Sequence, residues 1–429
     1  MRRKKIELSS PKLRQPAETS PSRPDSVSDG DVGENTRMSL CASPGDFSRA
    51  VCAERTGQYE VNLLDGLLQD NAAVLADCIG TRTTLMVTTP TVSRLYGARL
   101  QTVLQEHGVS LHTLVLSCDE NAKTLDQVER VCHDAYRLGL DRKSVLVGFG
   151  GGVCTDIVTL AASWIRRGIS HIRIPTSLIG QIDASIGVKG AVNFCGKKSA
   201  LGCFYAPESV WIDPAFLRTL DPQPLSCGLA ESIKMALVRD RGLFELVEEH
   251  AGVLIDTAFA EPKTVATEVI WRSVLRMLEE LETNLFEDKT YERLVDFGHT
   301  FSPLLESSSG FRIPHGEAVA IDIALSCVIA CELGLLDGVA RDRVLAALIV
   351  SRLPIYSPLL TTQLCLDVMQ DIVRHRGGAL NLVLPTSIGR ATFLRQLHDL
   401  PEPVIRRAIS WLAERQPELH RVPEHRRAA

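Results

Sequence analysis

Three side chains that lie far apart in the sequence are of the types that hold divalent metals. Glu231 lies in a helical pattern, where it shares one helix face with Lys234 at i, i+3. His299 follows a glycine, and His315 precedes an apolar helical pattern. One carboxylate and two imidazoles make a zinc site with an open coordination position, which is the catalytic arrangement. The separations carry no close-spaced ligand signature, so two capping histidines and a surface carboxylate explain the pattern as well.

A run of three glycines, residues 150–152, stands between a predicted strand and a predicted helix. Glycine lets backbone N–H groups approach a pyrophosphate closely, and the N-terminus of the following helix favours its negative charge. Asp156 lies at the start of that helix. The run differs from the GxGxxG fingerprint, so a tight turn without a ligand remains an alternative to a nucleotide site.

Two further segments follow strands of the predicted sheet. Glu120 comes just after the second strand, where its carboxylate could accept hydrogen bonds from a ribose, although an acidic helix N-cap explains it as well. Thr176 and Ser177 end the fourth strand, at the edge where ligands of open α/β sheets bind. Their hydroxyl groups could reach a cofactor or cap a turn.

Several cations lie in or beside glycine-bearing loops. The segment 183–193 is too irregular for a helix and carries Asp, Lys and Asn together. Cations that converge with a metal suit a phosphorylated, polyhydroxylated substrate, whereas a solvated charged loop is the alternative. The cations are Arg166, Arg167, Lys189, Lys197, Lys198 and Lys234.

The elements that must position these residues follow from the apolar patterns. Short apolar strands alternate with amphipathic helices, which predicts βαβ units and a parallel sheet. The predicted strands are 83–88, 111–116, 144–148 and 171–174, and the predicted helices between them are 91–106, 123–138 and 156–166. From about Phe216 long helical patterns dominate. We therefore predict a disordered tail over 1–45, a nucleotide-binding α/β domain over 46–215, a mostly α-helical metal-binding domain over 216–415, and a tail over 416–429.

Composition excludes several classes of protein. The 429 residues include 47 Lys+Arg and 52 Asp+Glu, and this balance excludes a broad electrostatic hold on nucleic acid. No apolar run reaches the roughly 18 residues of a membrane span, and no apolar region follows the basic start as in a secretory signal. The cysteines are scattered without a CxxC pair, which favours buried reduced thiols. We expect a cytoplasmic protein that binds neither nucleic acid nor a membrane.

The motifs, taken in order, resemble those of the sugar phosphate cyclases, the family that includes dehydroquinate synthase. The resemblance covers roughly residues 60–400. It rests on the segments 150–156, 166–168, 174–178, 182–189, 228–234, 298–300 and 315–319.

The resemblance implies a dehydroquinate synthase-like fold, with an N-terminal nucleotide-binding α/β domain, a helical metal domain and the active site between them. It implies that Zn²⁺ (or Co²⁺) is held by Glu231, His299 and His315. It implies that NAD is bound by Glu120, Lys123, Gly151, Gly152, Val153, Asp156, Thr176, Ser177, Lys198, Phe216 and Thr219. The catalytic residues that it implies, facing substrate, phosphate or nicotinamide, are Lys189, Lys234, Arg167, Lys198, Asp183 and Asn193.

Departures from dehydroquinate synthase bear on the substrate. Pro303 stands where that enzyme has a second His, Glu292 where it has an Arg, and Asp296 where it has an Asn. Losing a His and an Arg makes the site poorer for a substrate carboxylate, so we expect an uncharged polyol end. The segments 298–303 and 374–378 resemble the branch that cyclises sedoheptulose 7-phosphate.

That branch implies a carbon–oxygen lyase acting on a small sugar phosphate, and we expect it to be a homodimer. The implied product is a valiolone-type C7 cyclitol, either 2-epi-5-epi-valiolone or 2-epi-valiolone. The implied route is transient oxidation by NAD, phosphate elimination, re-reduction and intramolecular aldol closure. The alternatives are a 3-dehydroquinate synthase, a metal-dependent polyol dehydrogenase that uses NAD, and a non-catalytic binding protein on the same scaffold.

Overall fold

The computed structural model describes residues 57–69, 71–375 and 378–419, together with two short strands nearer the N-terminus. Those strands, β1 (Ser39–Leu40) and β2 (Phe47–Ser48), pair antiparallel. Contacts divide the chain into two compact units, Met1–Thr56 and Gly57–Ala429. Apart from β1, the tail predicted over 1–45 lies outside the described residues, as does the predicted C-terminal tail from residue 420 onward.

A six-stranded parallel sheet forms the first part of the larger unit. Its strands are β3 (Glu60–Leu63), β4 (Thr84–Thr88), β5 (Leu111–Val115), β6 (Val145–Gly150), β7 (Ser170–Pro175) and β10 (Ser209–Ile212). Their order is β3-β10-β7-β6-β4-β5, and every neighbouring pair is parallel. The four strands predicted from the sequence are confirmed. The sequence analysis missed β3 and β10, which complete one side of the sheet.

Apolar side chains cover both faces of this sheet. β4 and β6 are buried along their whole length, as central parallel strands should be. Met86 and Val147 belong to one apolar cluster, and their neighbours Leu85 and Leu146 belong to another. Because successive side chains of a strand point to opposite faces, the two clusters are the two helix layers around the sheet.

Helices connect these strands. They are α1 (Ala72–Ile79), α2 (Pro90–Val92), α3 (Ala98–Glu106), α4 (Leu125–Arg137) and α5 (Gly152–Trp164), with a π-helical segment Ser93–Gly97 joining α2 to α3. The predicted start of α5 at Asp156 is wrong by four residues. Gly151 is extended and the helix begins at once after it, so the glycine run itself forms the N-terminus of α5.

The segment 183–193, predicted to be irregular, is ordered. A π-helical turn, Gly180–Ala184, is followed by a hairpin of β8 (Lys189–Phe194) and β9 (Lys197–Phe204). Gly190 and Val192 are buried at alternate positions of β8, against α5. The sequence did not indicate this strand because its stability comes from pairing with β9 and from packing on a distant helix.

The rest of the chain is mostly helical, so the predicted fold class is confirmed. Its elements are α6 (Pro222–Arg239), α7 (Arg241–Asp256), α8 (Lys263–Thr283), α9 (Ser302–Ser308), α10 (His315–Glu332), α11 (Gly338–Val350), α12 (Thr362–His375), β11 (Leu382–Ser387), β12 (Arg390–Leu394) and α13 (Glu402–Leu419). α6 and α10 are buried almost all round, which is typical of helices at the centre of a domain. The division at 215/216 stays a prediction, whereas α13 runs past the predicted start of the C-terminal tail at residue 416.

The guanidinium of Arg173 on β7 ties the sheet to the loop that precedes β8. It donates to the carbonyl oxygens of Ser185 (3.0 Å), Gly187 (2.5 Å) and Lys189 (3.2 Å). A further pair of hydrogen bonds goes to Thr159 Oγ1 on α5. Burial lowers the pKa of Arg173 to about 10, so the group remains charged at neutral pH. This clamp fixes the loop between Asp183 and Lys189.

Replacing Arg173 with Met should lower the free energy of unfolding by at least about 3 kcal/mol, because several buried carbonyl groups lose their donor. Urea denaturation followed by circular dichroism measures the change. Arg137→Met is the matched control, since its side chain is 76% exposed and should leave the midpoint unchanged. Equal midpoints for the two variants would contradict the clamp.

Two expectations from composition can be compared with the structure. No disulfide joins the cysteines in the part of the chain that the structure describes. Cys154, Cys227, Cys327 and Cys365 are buried as predicted, but Cys195 is exposed at the turn of the β8–β9 hairpin, where no core is available to cover it. Within the same residues, no helix combines the length and the apolar character that a membrane crossing requires.

Candidate active site

The structure brings the three predicted metal-binding side chains together. One ligand atom from each of Glu231, His299 and His315 lies within 4.8 Å of the others. Nε2 of His315 is 3.1 Å and Nε2 of His299 is 3.6 Å from Glu231 Oε1. The alternative of a surface carboxylate is wrong, because the Glu231 side chain is only 1% exposed.

Close packing of two helices places these groups. Glu231 lies in the middle of α6, and His315 is the first residue of α10. A Cβ on Gly316 would lie 2.3 Å from the backbone of Cys227, so glycine is required for α10 to begin against α6. His299 lies in the turn before α9, where its Nδ1 contacts the carbonyl oxygen of Phe297 at 3.1 Å.

Asp322 fixes the turn that carries His299 to α10. Its carboxylate accepts hydrogen bonds from the backbone N–H groups of Phe301 (2.6 Å) and Ser302 (3.0 Å) and from the hydroxyl of Ser326 (3.2 Å). Both imidazoles are thereby anchored to one helix, His315 covalently and His299 through this carboxylate. The sequence analysis missed Asp322, and the available signal was a lone charge within an apolar helical run.

The residues present fit a divalent metal. Glu231 Oε2 is paired with the Lys234 ammonium at 2.6 Å, but within the described part of the chain neither buried oxygen of Glu231 accepts a hydrogen bond of good geometry. Two imidazole Nε2 atoms face the same carboxylate, which gives the nitrogen and oxygen donors of a catalytic zinc site with one open position. Buried polar atoms without hydrogen bonds are costly, so their convergence favours a cation between them.

The charge states also suit a cation. Burial lowers the pKa of His299 to about 4, and Lys234 adds to this effect, so the ring is neutral. Burial acts to raise the pKa of Glu231, but Lys234 and the two imidazoles hold it well below its ordinary range. Burial and Lys198 act to lower the pKa of His315, but its contacts with the carboxylates of Glu231 and Glu306 leave it raised.

Lys234 forms a buried ion-pair cluster beside this group. Its Nζ lies 2.6 Å from Glu231 Oε2, one helical turn away, and 2.7 Å from Asp183 Oδ2. Burial acts to lower the pKa of Lys234, but the two carboxylates outweigh burial and raise it. Burial raises the pKa of Asp183 to about 6. The predicted shared face of Glu231 and Lys234 is confirmed.

A second set of contacts links the hairpin to the metal group, by which we mean Glu231, His299 and His315. Lys198 Nζ on β9 lies 2.5 Å from Glu306 Oε2 on α9, and Glu306 Oε1 lies 2.9 Å from His315 Nδ1. Burial acts to raise the pKa of Glu306, but His315 and Lys198 lower it to about 2. The sequence analysis missed Glu306, for which the sequence carries no signal beyond its position between the two histidines.

Apart from Lys198, the residues predicted to bind the cofactor lie at the carboxyl edge of the sheet. Thr176 donates its backbone N–H to the carbonyl of Gly150 (2.9 Å), which joins the ends of β7 and β6. A Cβ on Gly152 would lie 2.9 Å from the Cβ of Ala184, so the start of α5 touches the turn that carries Asp183. Gly151, Val153 and Asp156 lie in the glycine run and the first two turns of α5, and a Cβ on Gly151 would lie 3.4 Å from Ser177 Oγ, so Ser177 is beside the run.

The tip of the hairpin meets the loop after β5. Asn193 donates to the Glu120 carboxylate (2.9 Å) and carbonyl (3.0 Å), and its Oδ1 accepts from the Ser199 N–H (2.8 Å). Lys123 pairs with Asp156 at 2.6 Å and donates to Ser199 Oγ at 3.2 Å. Asn193, predicted to face substrate, phosphate or nicotinamide, therefore contacts Glu120, which is predicted to bind the cofactor.

Phe216 and Thr219 lie where an aromatic group closes one side of this edge. Phe216 packs edge-on against Tyr96 and Phe149, with ring centroids 5.1 and 5.4 Å away. The hydroxyl groups of Thr219 and Tyr96 are 2.8 Å apart. Phe216 is buried, so it supports this edge by packing, and Thr219 is exposed.

Two predicted catalytic cations make no contact with Glu231, His299 or His315 among the described ion pairs and hydrogen bonds. The Lys189 side chain is 56% exposed, and its Nζ is 2.5 Å from Glu287. Arg167 is exposed in the turn Ile165–Arg167, at the far end of α5 from the glycine run. The 13 residues of α5 span about 20 Å, so the structure does not bring Arg167 to the other candidates. Its predicted role stays a prediction.

The ionisation of Asp322 predicts a pH dependence of stability. Burial raises its pKa to about 6 from 3.8, although its hydrogen bonds act in the opposite direction. Since the folded-state value is raised, this contribution to stability is present below about pH 4 and lost as the pH rises through about 6. We therefore expect the free energy of unfolding of metal-free Asp322→Asn to rise relative to that of metal-free wild type as the pH increases from about 4 to about 7. The difference should change by up to about 3 kcal/mol over this range.

Urea unfolding of both metal-free proteins across that pH range measures the difference. Asn is the substitution of choice because its side-chain oxygen can still accept hydrogen bonds from the backbone N–H groups. Parallel pH profiles for wild type and Asp322→Asn would rule out this account of Asp322.

A glycine run that opens a helix at the edge of a parallel sheet, beside buried nitrogen and oxygen metal donors, is typical of enzymes that use a nucleotide and a metal together. Two family models match the chain, the N-terminal part of 3-dehydroquinate synthase over residues 113–227 and the C-terminal part over 228–372. The chain belongs to the 3-dehydroquinate synthase family.

Individual members of this family are similar to the chain over most of its length. A 2-epi-5-epi-valiolone synthase of Streptomyces glaucescens is 42% identical over 361 residues, which are 83% of this chain and 92% of that protein. A 3-dehydroquinate synthase of Synechococcus sp. is 36% identical over 343 residues, 79% of this chain and 92% of that protein. The solved structure of ValA, a 2-epi-5-epi-valiolone synthase from Streptomyces hygroscopicus subsp. jinggangensis with NAD⁺ and Zn²⁺ bound, is 41% identical with a TM-score of 0.81. The match covers 85% of this chain and 99% of that chain. The resemblance to the sugar phosphate cyclases is confirmed.

Proposed function

We propose that this protein is a sedoheptulose 7-phosphate cyclase that forms 2-epi-5-epi-valiolone, a carbon–oxygen lyase that releases phosphate. The observation that carries the proposal is the convergence of buried Glu231 with the partly exposed His299 and His315, with Lys198 and Lys234 against this group, close to the glycine run. The similarity of the chain to 2-epi-5-epi-valiolone synthases supports this product over the 2-epi-valiolone alternative.

The chain's own residues would hold both cofactors. When bound, NAD⁺ supplies a reversible hydride acceptor and zinc or cobalt supplies a Lewis acid. Glu231, His299 and His315 would hold the metal. The residues that would hold the dinucleotide are Glu120, Lys123, Gly151, Gly152, Val153, Asp156, Thr176, Ser177, Lys198, Phe216 and Thr219.

Three lysines would act on the substrate. Lys234, held by Asp183, keeps an ammonium proton beside the metal group, where it can donate to a substrate oxygen. Lys198 and Lys189 place positive charge along the hairpin, where it can neutralise a departing phosphate. Asn193 keeps the hairpin against the loop that carries Glu120.

The electrostatics of the substrate end favour an uncharged polyol. Arg293, next to the position where dehydroquinate synthase has an Arg, is paired with both Glu287 and Asp296. Glu292 pairs with Arg395 at the surface. A guanidinium that is already neutralised by two carboxylates attracts a substrate carboxylate weakly, which supports sedoheptulose 7-phosphate over a heptulosonate phosphate.

Lys189→Ala should lower kcat by about 10²-fold, because a cation aimed at departing phosphate is lost. The thermal midpoint should not change, since the side chain is more than half exposed. Glu287→Gln serves as the control, because it removes the same ion pair, together with one of the two carboxylates paired with Arg293, but keeps the cation. Equal losses of kcat in the two variants would assign the effect to the ion pair instead.

The test of the proposed function uses the full-length protein with sedoheptulose 7-phosphate, NAD⁺ and Zn²⁺. We expect phosphate release and a cyclitol that NMR identifies as 2-epi-5-epi-valiolone, with no accumulation of NADH, because the net reaction leaves the redox state unchanged. Turnover of a heptulosonate phosphate instead would indicate a 3-dehydroquinate synthase, and steady NADH formation would indicate a polyol dehydrogenase. We also propose a cytoplasmic homodimer, for which light scattering after gel filtration gives the mass.

A further inference from the structure

Glu306 stands at a junction between the metal group and the hairpin. It lies in α9, its side chain is 3% exposed, and its two oxygens have different partners. Oε1 is 2.9 Å from His315 Nδ1, and Oε2 is 2.5 Å from Lys198 Nζ. Lys198 Nζ is itself 3.1 Å from the same His315 nitrogen. The Lys198 ammonium can only donate a hydrogen bond and the Glu306 carboxylate can only accept one, so the two groups compete for His315 Nδ1.

The outcome of this competition decides whether the ring can bind a metal. Nε2 of His315 faces Glu231, so the metal needs the lone pair of Nε2 and the proton must sit on Nδ1. An Nδ1–H needs an acceptor, and Glu306 is the acceptor in contact with it among the described residues. If Lys198 donated to Nδ1 instead, the neutral ring would carry its proton on Nε2 and could not ligate.

We infer that Glu306 is a positioning residue that selects the metal-binding tautomer of His315, accepting the Nδ1 proton while holding the Lys198 ammonium on its other oxygen. This inference rests on the proposed metal site. Carboxylates that accept the outer N–H of a ligating histidine orient the ring and raise its basicity, and their loss typically weakens metal binding by 10- to 100-fold. His299 uses the carbonyl of Phe297 for the same purpose, so the two imidazoles differ in what orients them.

The test measures zinc affinity by chelator competition, without any assay of turnover. Glu306→Gln should weaken binding by about 10- to 100-fold, because the neutral amide holds Lys198 less firmly and the ammonium turns to Nδ1. Lys198→Met should leave affinity within about threefold of wild type. The double variant should recover most of the loss, since the competing donor is gone. Glu332→Gln, on the same helix as His315 but paired with Arg407, is the matched control and should bind zinc normally.

A second readout reports the tautomer directly. In metal-free protein at a pH where the rings are neutral, the ¹⁵N shifts of His315 should show an Nδ1–H ring in wild type and an Nε2–H ring in Glu306→Gln. An Nδ1–H ring in both, or a double variant as weak as Glu306→Gln alone, would overturn the inference.

These results are distinguishable from a failure of the proposed function. If His315→Ala keeps zinc at wild-type affinity, the ligand assignment itself is wrong. If His315→Ala loses zinc while Glu306→Gln binds it normally, the metal site stands and the role inferred for Glu306 does not.

Discussion

His315→Ala is expected to lose bound zinc almost completely and to lower turnover by at least about 10³-fold. Removing one of the three proposed ligands leaves Glu231 and His299, which cannot define a tetrahedral site with a single open position. The Lewis acid contributes several kcal/mol to the transition state, so its loss reaches this magnitude. Metal analysis of the purified variant and a phosphate-release assay measure the two effects.

His107→Ala is the matched control for this prediction. His107 is exposed at the end of α3, where its ring contacts only the carbonyl of Val103 among the described hydrogen bonds. It should keep one zinc per chain and full turnover. A His315→Ala protein that retains stoichiometric zinc would remove His315 from the ligand set, whatever its activity.

Lys234→Met is expected to lower the free energy of unfolding of the metal-free protein by about 3–5 kcal/mol, because breaking a buried ion pair leaves uncompensated charge. The cation is 2% exposed and lies between Glu231 and Asp183. Without it, two carboxylates face each other in a buried site. Turnover should fall by at least about 10²-fold, because the donor beside the metal group is lost.

Two comparisons test the reason for this loss of stability. Adding zinc should restore part of the loss, because a cation bound by Glu231 replaces one of the contacts of Lys234. The double variant Lys234→Met, Asp183→Asn should be more stable than Lys234→Met alone, because one of the two unpaired carboxylates is gone. If neither comparison changes the urea midpoint, uncompensated charge is not the cause.

Much of the site could be predicted because its parts are short local motifs. The i, i+3 relation of Glu231 and Lys234 is set within one helix, and the glycine run lies between a strand and a helix that the apolar pattern indicates. The convergence of Glu231 with His299 and His315 depends on the packing of α6 against α10, which no local pattern reveals. That part of the prediction came from the resemblance of the ordered motifs to a known family.

The residues that sequence analysis missed act through long-range contacts. Arg173 and Asp322 each lie within an apolar run, and their partners are backbone groups of other segments. Glu306 reaches a strand 108 residues earlier in the chain. Arg167 lies at the far end of α5 from the glycine run in this chain, and its role stays a prediction.

The β8–β9 hairpin has a consequence for protein engineering. Through Asn193 it contacts Glu120 in the loop after β5, and through Lys198 it contacts Glu306 on α9 in the helical half. A chimera of two relatives joined near residue 216 would combine one parent's Lys198 with the other parent's Glu306. Hybrids intended to change product specificity should therefore exchange residues 189–204 together with the helical half. Lys198 and Glu306 then come from the same parent.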